Sequence, residues 1–364
     1  MERKLPLTAC ARPLCRTCLD TKTGGNEYED SPGHNVTPPI GGSALRPNHI
    51  ISVSDAPAPR SLWAVLLAGG DGLRLRGLTE TIVGDQRPKQ FCAILGPRSL
   101  LSDTRCRLSP RFSLDRQAFV LLSAHESYYR NELADAKESL LIAQPANRGT
   151  AVGIIAALIQ IMQIDPDAIT ALFPCDHYYS NEEAFRSVVQ SAIKGAEQFP
   201  EFVIVVGAAA DYAETDYGWI EPAELISQSA DTPLYRVNRF WEKPASPQAR
   251  ACLKRGCLWN TFVTVGRAAT LLDLVCSEAP NTVLSITRAL ADGDLTPTYD
   301  QLPIVDFSRD MLANQANRLL VLPDLCSGWA DLGSPDRVLG LLANSSNQPA
   351  WFRRTQGARG EAMR

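Results

Sequence analysis

The chain has 364 residues, 45% hydrophobic and 21% charged, an ordinary globular composition with enough apolar material for a large core. A formal charge of -4 and a pI near 5.7 argue against a nucleic-acid coat, because phosphate-backbone binding leaves a basic footprint; any anion site must be a local cluster. No stretch approaches a membrane-spanning helix and no apolar run of signal-peptide length follows MERKLPLTAC, so the expectation is a cytoplasmic protein with neither a membrane nor a nucleic-acid partner. Ten cysteines, mostly scattered singly through apolar stretches, are expected as reduced core thiols rather than a disulfide framework.

Residues 1–60 are rich in Pro, Gly, Ser, Thr and Asn without a sustained hydrophobic period, which predicts a disordered extension. Cys10, Cys15 and Cys18 cluster there, but a zinc site usually wants four ligands and His34 is the first histidine, so no metal knuckle is expected. From Leu62 short apolar runs alternate with helical patterns. LWAVLLAG reads as the first strand, followed by AFVLLSA, SLLIAQ, AITALFPCD and FVIVVGA. A helix over 151–164 is expected to start at Thr150, and NEEAFRSVVQSAIKGAEQF has the acidic first turn of another. This is the doubly wound, Rossmann-like α/β pattern of a mostly parallel sheet flanked by helices. DYGWIEP, LYRVNRFWEKP and LWNTFVTVG are further strands, the globular domain is expected over 61–344, and the polar, basic residues 345–364 read as a flexible tail.

The first strand runs into Leu67-Ala68-Gly69-Gly70-Asp71-Gly72-Leu73-Arg74-Leu75. Such glycines serve either as a strand-to-helix turn or as a cradle whose backbone amides approach an anion, with Arg74 supplying charge. Leu75 stands at the third glycine position of a dinucleotide fingerprint, and no Gly-Lys-Ser/Thr follows to make a P-loop. Downstream, Arg87-Pro88-Lys89-Gln90-Phe91 places a second cation after a proline that fixes its backbone. Gln144-Pro145-Ala146-Asn147-Arg148-Gly149-Thr150 lies between an expected strand and helix, where Gln144 and the backbone meet the edge of a base or simply begin a helix. Asp176 ends a buried strand, the place where ligands gather in open α/β sheets.

LAGGDGLRLRGLT followed by RPKQF resembles the signature of the sugar-1-phosphate nucleotidyltransferases, and its Lys-Gln-Phe ending resembles the mannose-1-phosphate guanylyltransferase branch. The resemblance spans about Leu62 to Asn344 and implies the mixed, mostly parallel sheet of that fold. It implies that Arg74 holds the β- and γ-phosphates and Lys89 the α-phosphate, with Leu67, Ala68, Gly69, Gly70 and Gly72 against the nucleotide. The segment of Gln144, Arg148 and Gly149 resembles the family's Glu-Pro-x-x-Arg-Asn-Thr, with Gln144 for the acid and Gly149 for the asparagine. That change bears on the base, since a carboxylate accepts two guanine N–H groups better than an amide does. Asp176 and Asp331, the latter in Trp329-Ala330-Asp331-Leu332-Gly333-Ser334, match aspartates that bind Mg²⁺.

By the same resemblance Tyr217, Gly218, Glu242 and Asn260 face the sugar and Lys243 its phosphate. Phe262 stands where glycine is usual, and either narrows the sugar pocket or points into the core. His177 reads as a satisfied structural histidine and carries no assigned role. The reaction implied is GTP plus mannose 1-phosphate giving GDP-mannose and pyrophosphate. The sugar phosphate is already an anionic nucleophile, so the protein's work is positioning and charge neutralisation by Arg74, Lys89, Lys243 and Mg²⁺. Two alternatives stand: another hexose-1-phosphate nucleotidyltransferase, and a non-catalytic nucleotide-sugar-binding homologue, which has no need of the paired aspartates. Oligomeric state is open, a homodimer being one arrangement.

Overall fold

The computed structural model describes residues 61–229, 232–346 and 348–355. The expectations for residues 1–60, including Cys10, Cys15, Cys18 and His34, and for 356–364 lie outside the described residues. The strands are β1 (Leu62–Leu67), β2 (Gln117–Leu122), β3 (Leu141–Gln144), β4 (Ile169–Pro174), β5 (His177–Tyr179), β6 (Val203–Ala208), β7 (Gly218–Ser229), β8 (Thr232–Glu242), β9 (Leu258–Arg267), β10 (Leu319–Asp324) and β11 (Trp329–Asp331).

Nine of them form one sheet in the order β3-β2-β1-β4-β9-β6-β10-β8-β7, while β5 and β11 make a separate ribbon. β1 pairs in parallel with β2 and β4, and β2 with β3; β9 runs antiparallel between β4 and β6. The sheet is mixed and mostly parallel, as expected. Its inner strands β1, β4 and β6 are largely apolar runs because both faces are covered. Along β1 the pleat sends Val65 to one core layer, with Val120, Ile154 and Leu158, and Leu66 to the other, with Phe119, Phe173, Phe185 and Ile193. The helix Thr150–Ile164 covers the first face and Glu182–Gln198, capped by Asn181 on the Ala184 N–H, the second.

Two local expectations are corrected. The residue that caps the helix Thr150–Ile164 is Gly149, not Thr150, whose hydroxyl instead accepts from the Phe307 N–H (2.8 Å). Residues 350–355 are helical where a flexible tail was expected. Trp351 and Phe352 are buried with Ile94 and Leu100, and the Trp351 indole N–H donates to the Ile94 carbonyl (2.9 Å). Two adjacent aromatics in a polar stretch make no period, so the anchor left no sequence signal. The long hairpin β7–β8 also pairs through β7 with β9, a three-way junction beyond the reach of short-range pattern. Cys92, Cys175, Cys252, Cys257 and Cys276 are buried reduced thiols, and Cys106 and Cys326 are exposed ones. No helix among the described residues is long and apolar enough to cross a membrane.

Candidate active site

Parallel pairing aligns the carboxyl ends of β1 to β4: Leu67 sits opposite Pro174 and Val120, and Leu122 opposite Gln144. A cavity of about 420 Å³ opens there, lined by Leu67, Gly69, Gly70, Val120, Gln144, Asn147, Gly149, Thr150, Pro174, Asp176, His177, Phe262 and Asp306. The glycine loop and the RPKQF segment are one body. The Gln90 amide donates to the carbonyls of Ala68 (2.8 Å) and Gly70 (2.7 Å), which fixes the loop's outward amides. Gly72 has φ 61°, and a Cβ there would lie 3.0 Å from both the Lys89 nitrogen and the Pro88 Cα, so this turn requires glycine. Arg74 leaves the loop with its side chain 61% exposed and its guanidinium 3.6 Å from Asp216. It is free to turn toward a ligand.

Asp176 and Asp331 are 155 positions apart in the chain, and the β5–β11 ribbon joins them by pairing Asp331 with His177. Lys89, nearly buried, lies between them: its ammonium is 3.0 Å from Asp176 Oδ2 and 3.8 Å from Asp331 Oδ1, and donates to the Leu332 carbonyl at 2.8 Å. Burial works against the Asp176 carboxylate, but the Lys89 ammonium outweighs it and holds its pKa below the ordinary value. His177 is kept neutral by burial, and its Nδ1 accepts from the Trp329 indole N–H (3.1 Å), which suits a structural histidine. Arg337, which sequence reasoning missed, donates to Asp331 Oδ2 (3.0 Å) and to Glu214 Oε2 (2.6 Å) with its guanidinium 4.6 Å from the Tyr217 ring centre. It orients Asp331 from behind. A lone arginine one turn into a helix gives no sequence cue for that role.

At the other end of the cavity Gln144 is nearly buried and both ends of its amide are used internally. Its Oε1 accepts from the Tyr299 hydroxyl (3.2 Å) and its Nε2 donates to the Leu121 carbonyl (3.3 Å). Burial raises the Tyr299 pKa, so this phenol stays a donor. Tyr299 was not read from the sequence. Arg148 is not brought to the cavity: its guanidinium donates to the Asp300 carbonyl (3.2 Å). Its neighbour Asn147 is brought there, linking Asp71 (2.8 Å) to the Gly149 N–H (3.0 Å). The backbone of this segment, rather than Arg148, faces the cleft.

The residues expected at the sugar lie along β7, β8 and β9. Gly218 lets two of them come together, since a Cβ on it would meet Glu242 Oε2 at 2.8 Å and the Asn260 Cβ at 3.0 Å. Tyr217 is buried against Trp259 and Trp329, and Asn260 uses its amide on Ser308 and the Phe262 N–H. Lys243 has φ 47° and an exposed ammonium 3.6 Å from Glu242. Burial, with help from the charge of Asp306, pushes the Glu242 pKa from the ordinary 4.5 up to about 7. The folded chain therefore binds this proton more tightly than the unfolded one, and the stability it contributes is lost as pH rises from about 4.5 through about 7. Glu242→Gln removes that loss, so the melting temperature of the variant relative to wild type is expected to climb between pH 5 and pH 8. A difference that stays flat across that range would mean the carboxyl titrates normally.

A family model described as nucleotidyl transferase matches residues 63–347. The mannose-1-phosphate guanylyltransferase ManC of Salmonella typhimurium is 29% identical over 290 residues, covering 75% of this chain and 58% of that protein. The mannose-1-phosphate guanylyltransferase of Escherichia coli K12 is 27% identical over 302 residues, covering 79% and 61%. The chain thus spans about three fifths of the length of these curated relatives. Among solved structures, one described as a mannose-1-phosphate geranyltransferase from Thermus thermophilus superposes with a TM-score of 0.65 at 27% identity, over 75% of this chain and 76% of that one. A mannose-6-phosphate isomerase from Helicobacter pylori, 19% identical with a TM-score of 0.57, shares the fold over 74% of this chain and 99% of that one. The family match runs from the first strand of the sheet past the ribbon that carries Asp331, and the chain belongs to the nucleotidyl transferase family.

Proposed function

We propose that residues 61–344, with the 350–355 helix packed on them, transfer the guanylyl group of GTP to mannose 1-phosphate, giving GDP-mannose and pyrophosphate. The observation that carries this reading is the convergence of Asp176, Asp331 and Lys89 beneath a glycine loop braced by Gln90. Curated relatives bear that activity in their names, which supports the choice of substrates. Two carboxylates with hard oxygen donors suit a divalent cation, here Mg²⁺, which would complete its shell from phosphates and water. No cluster of three or more candidate ligands occurs among the described residues, so Asp176 and Asp331 would be the protein's whole share. When bound, the ion supplies charge neutralisation at the phosphates.

The chain's own residues do the rest. Arg74 swings from Asp216 onto the terminal phosphates, Lys89 neutralises the α-phosphate, and Lys243 holds the sugar phosphate. The sugar phosphate oxygen forms its bond to the α-phosphorus as the bond to the β-phosphate oxygen breaks, and pyrophosphate leaves with that electron pair. No base is needed because the nucleophile is already ionised. A cytoplasmic setting and a homodimeric assembly belong to the same proposal.

Pyrophosphate release from purified protein, measured over four NTPs and several hexose 1-phosphates, tests it. The expected result is a dominant rate for GTP with mannose 1-phosphate; turnover with other pairs alone would overturn the assignment. One observation favours a second reading in which the base differs. Gln144 has both amide ends engaged by Tyr299 and Leu121, and offers no carboxylate to the two guanine N–H groups.

A further inference from the structure

Phe262 is held in a backbone conformation that aromatic side chains avoid, and the residue belongs to the cavity lining. Its φ is 64°, and Lys243 is the other non-glycine residue with positive φ among the described residues. The cause is a fault in the β6–β9 ladder. Val205 faces Thr264 while Gly207 faces Asn260, so β9 carries extra residues in this interval and must bend. Side chains take over the backbone groups that the ladder drops. The Phe262 N–H donates to Asn260 Oδ1 (3.0 Å), the Thr264 hydroxyl donates to the Phe262 carbonyl (3.0 Å), and the Thr261 hydroxyl donates to the Val206 carbonyl (2.8 Å). Glycine would make the same bend without strain. The conformation is over-determined by its neighbours, which is the circumstance in which a strained residue persists for what its side chain does.

That side chain is half-buried. Its ring packs on Phe307, with ring centres 5.8 Å apart at 44°, and the residue lines the cavity together with Asp306, Asp176 and His177. β9 follows β4 in the sheet, so Phe262 stands on the Asp176 side of the cavity, whereas Gly69 approaches Gln144 at the end of β3. A flat apolar wall among polar groups sets which ligand shape fits, since polar groups orient a ligand and apolar ones bound it.

The geometry points to Phe262 as a specificity-determining wall of the sugar subsite, resting the apolar face of a hexose 1-phosphate and excluding hexoses with a bulky substituent on the ring. The inference depends on reading the cleft as a nucleotidyl-transfer site, but its test is read by binding rather than turnover.

Calorimetric titration of the full chain and of Phe262→Gly and Phe262→Leu with mannose 1-phosphate, N-acetylglucosamine 1-phosphate and GTP, each alone, separates the possibilities. Phe262→Gly is expected to weaken mannose 1-phosphate about tenfold, to narrow its advantage over the N-acetyl sugar by a similar factor, and to leave GTP within about twofold. Phe262→Leu, which keeps an apolar side chain but loses the flat face, should move the same way by less. It carries the test if the glycine variant does not fold. An unchanged ranking of the two sugars, an equal loss for GTP, or wild-type protein that binds neither sugar phosphate would overturn the inference. Failure of the proposed reaction shows instead in the wild-type turnover assay, whatever the variants bind.

Discussion

Gly149→Ala is expected to destabilise the chain by roughly 4 kcal/mol and to lower its melting temperature by about 5–10 °C, a large effect for one methyl group. Gly149 has φ 85° and ψ 170°, a region that is essentially closed to residues with a Cβ. A Cβ there would also lie 2.2 Å from the Val305 carbonyl oxygen and 2.7 Å from its carbon. Those atoms are backbone, and they are pinned. The Val305 N–H donates to the Arg148 carbonyl (3.0 Å) and the Val305 carbonyl accepts from the Ala151 N–H (3.1 Å), so the two segments are stitched on both sides of the glycine. Strain of about 1–3 kcal/mol and overpacking of about 1–3 kcal/mol add, because neither can relax without breaking those bonds. Gly70→Ala is the control. It lines the same cavity, has no neighbour within 4 Å of its Cβ position, and is expected to melt within about 1 kcal/mol of wild type. Differential scanning calorimetry of both variants checks the contrast, and a Gly149→Ala protein that melts with wild type would refute the account of this contact.

That glycine also marks where sequence reasoning stops. The apolar runs of β1, β2, β4 and β6 were legible because strands buried on both faces have no polar positions to confuse the pattern. The glycine loop and Lys89 were legible because they lie within one short stretch. The approach of Val305 to Gly149 was not, since it joins residues 156 positions apart and leaves its trace only as a missing side chain. Asp176 and Asp331 came from motif resemblance, and what brings them together is the ribbon of β5 and β11, three residues each and too short for a hydrophobic period. Arg337 and Tyr299 act through Asp331 and Gln144, so neither carries a motif of its own. Phe262 stood out only against the family motif, where glycine is usual, and a positive φ cannot be read from an aromatic residue whose intrinsic preference opposes it. The placements of Arg148 and of the Thr150 hydroxyl share one cause. Each side chain is drawn to the 300–307 segment by a partner distant in the chain, which short-range pattern does not show.

Lys89→Ala is expected to lower turnover by about two orders of magnitude or more while leaving the fold in place, and Asp176→Asn to do the same. The ammonium of Lys89 lies within 4 Å of both aspartates, whereas Arg337 compensates Asp331 alone. Without Lys89 the half-buried Asp176 keeps, among the described residues, His177 as its ion-pair neighbour, itself kept neutral by burial, so its carboxyl pKa rises. The sign of the linked stability follows from that. In wild type the depressed pKa contributes stability that is present above the unfolded value and lost as pH falls through the folded one; in Lys89→Ala that contribution disappears. The variant should therefore lose less stability on acidification than wild type, although it is the less stable protein at neutral pH. Because Lys89 and Asp176 are in contact, their effects are not independent: the double variant is expected to lose little more turnover than either single one. Steady-state rates with saturating nucleotide and sugar phosphate, alongside melting curves from pH 4 to pH 8, distinguish a lost charge from a lost fold. Wild-type turnover in either single variant would remove Lys89 and Asp176 from the reaction, and full multiplication of the two losses in the double variant would mean that they act at separate places.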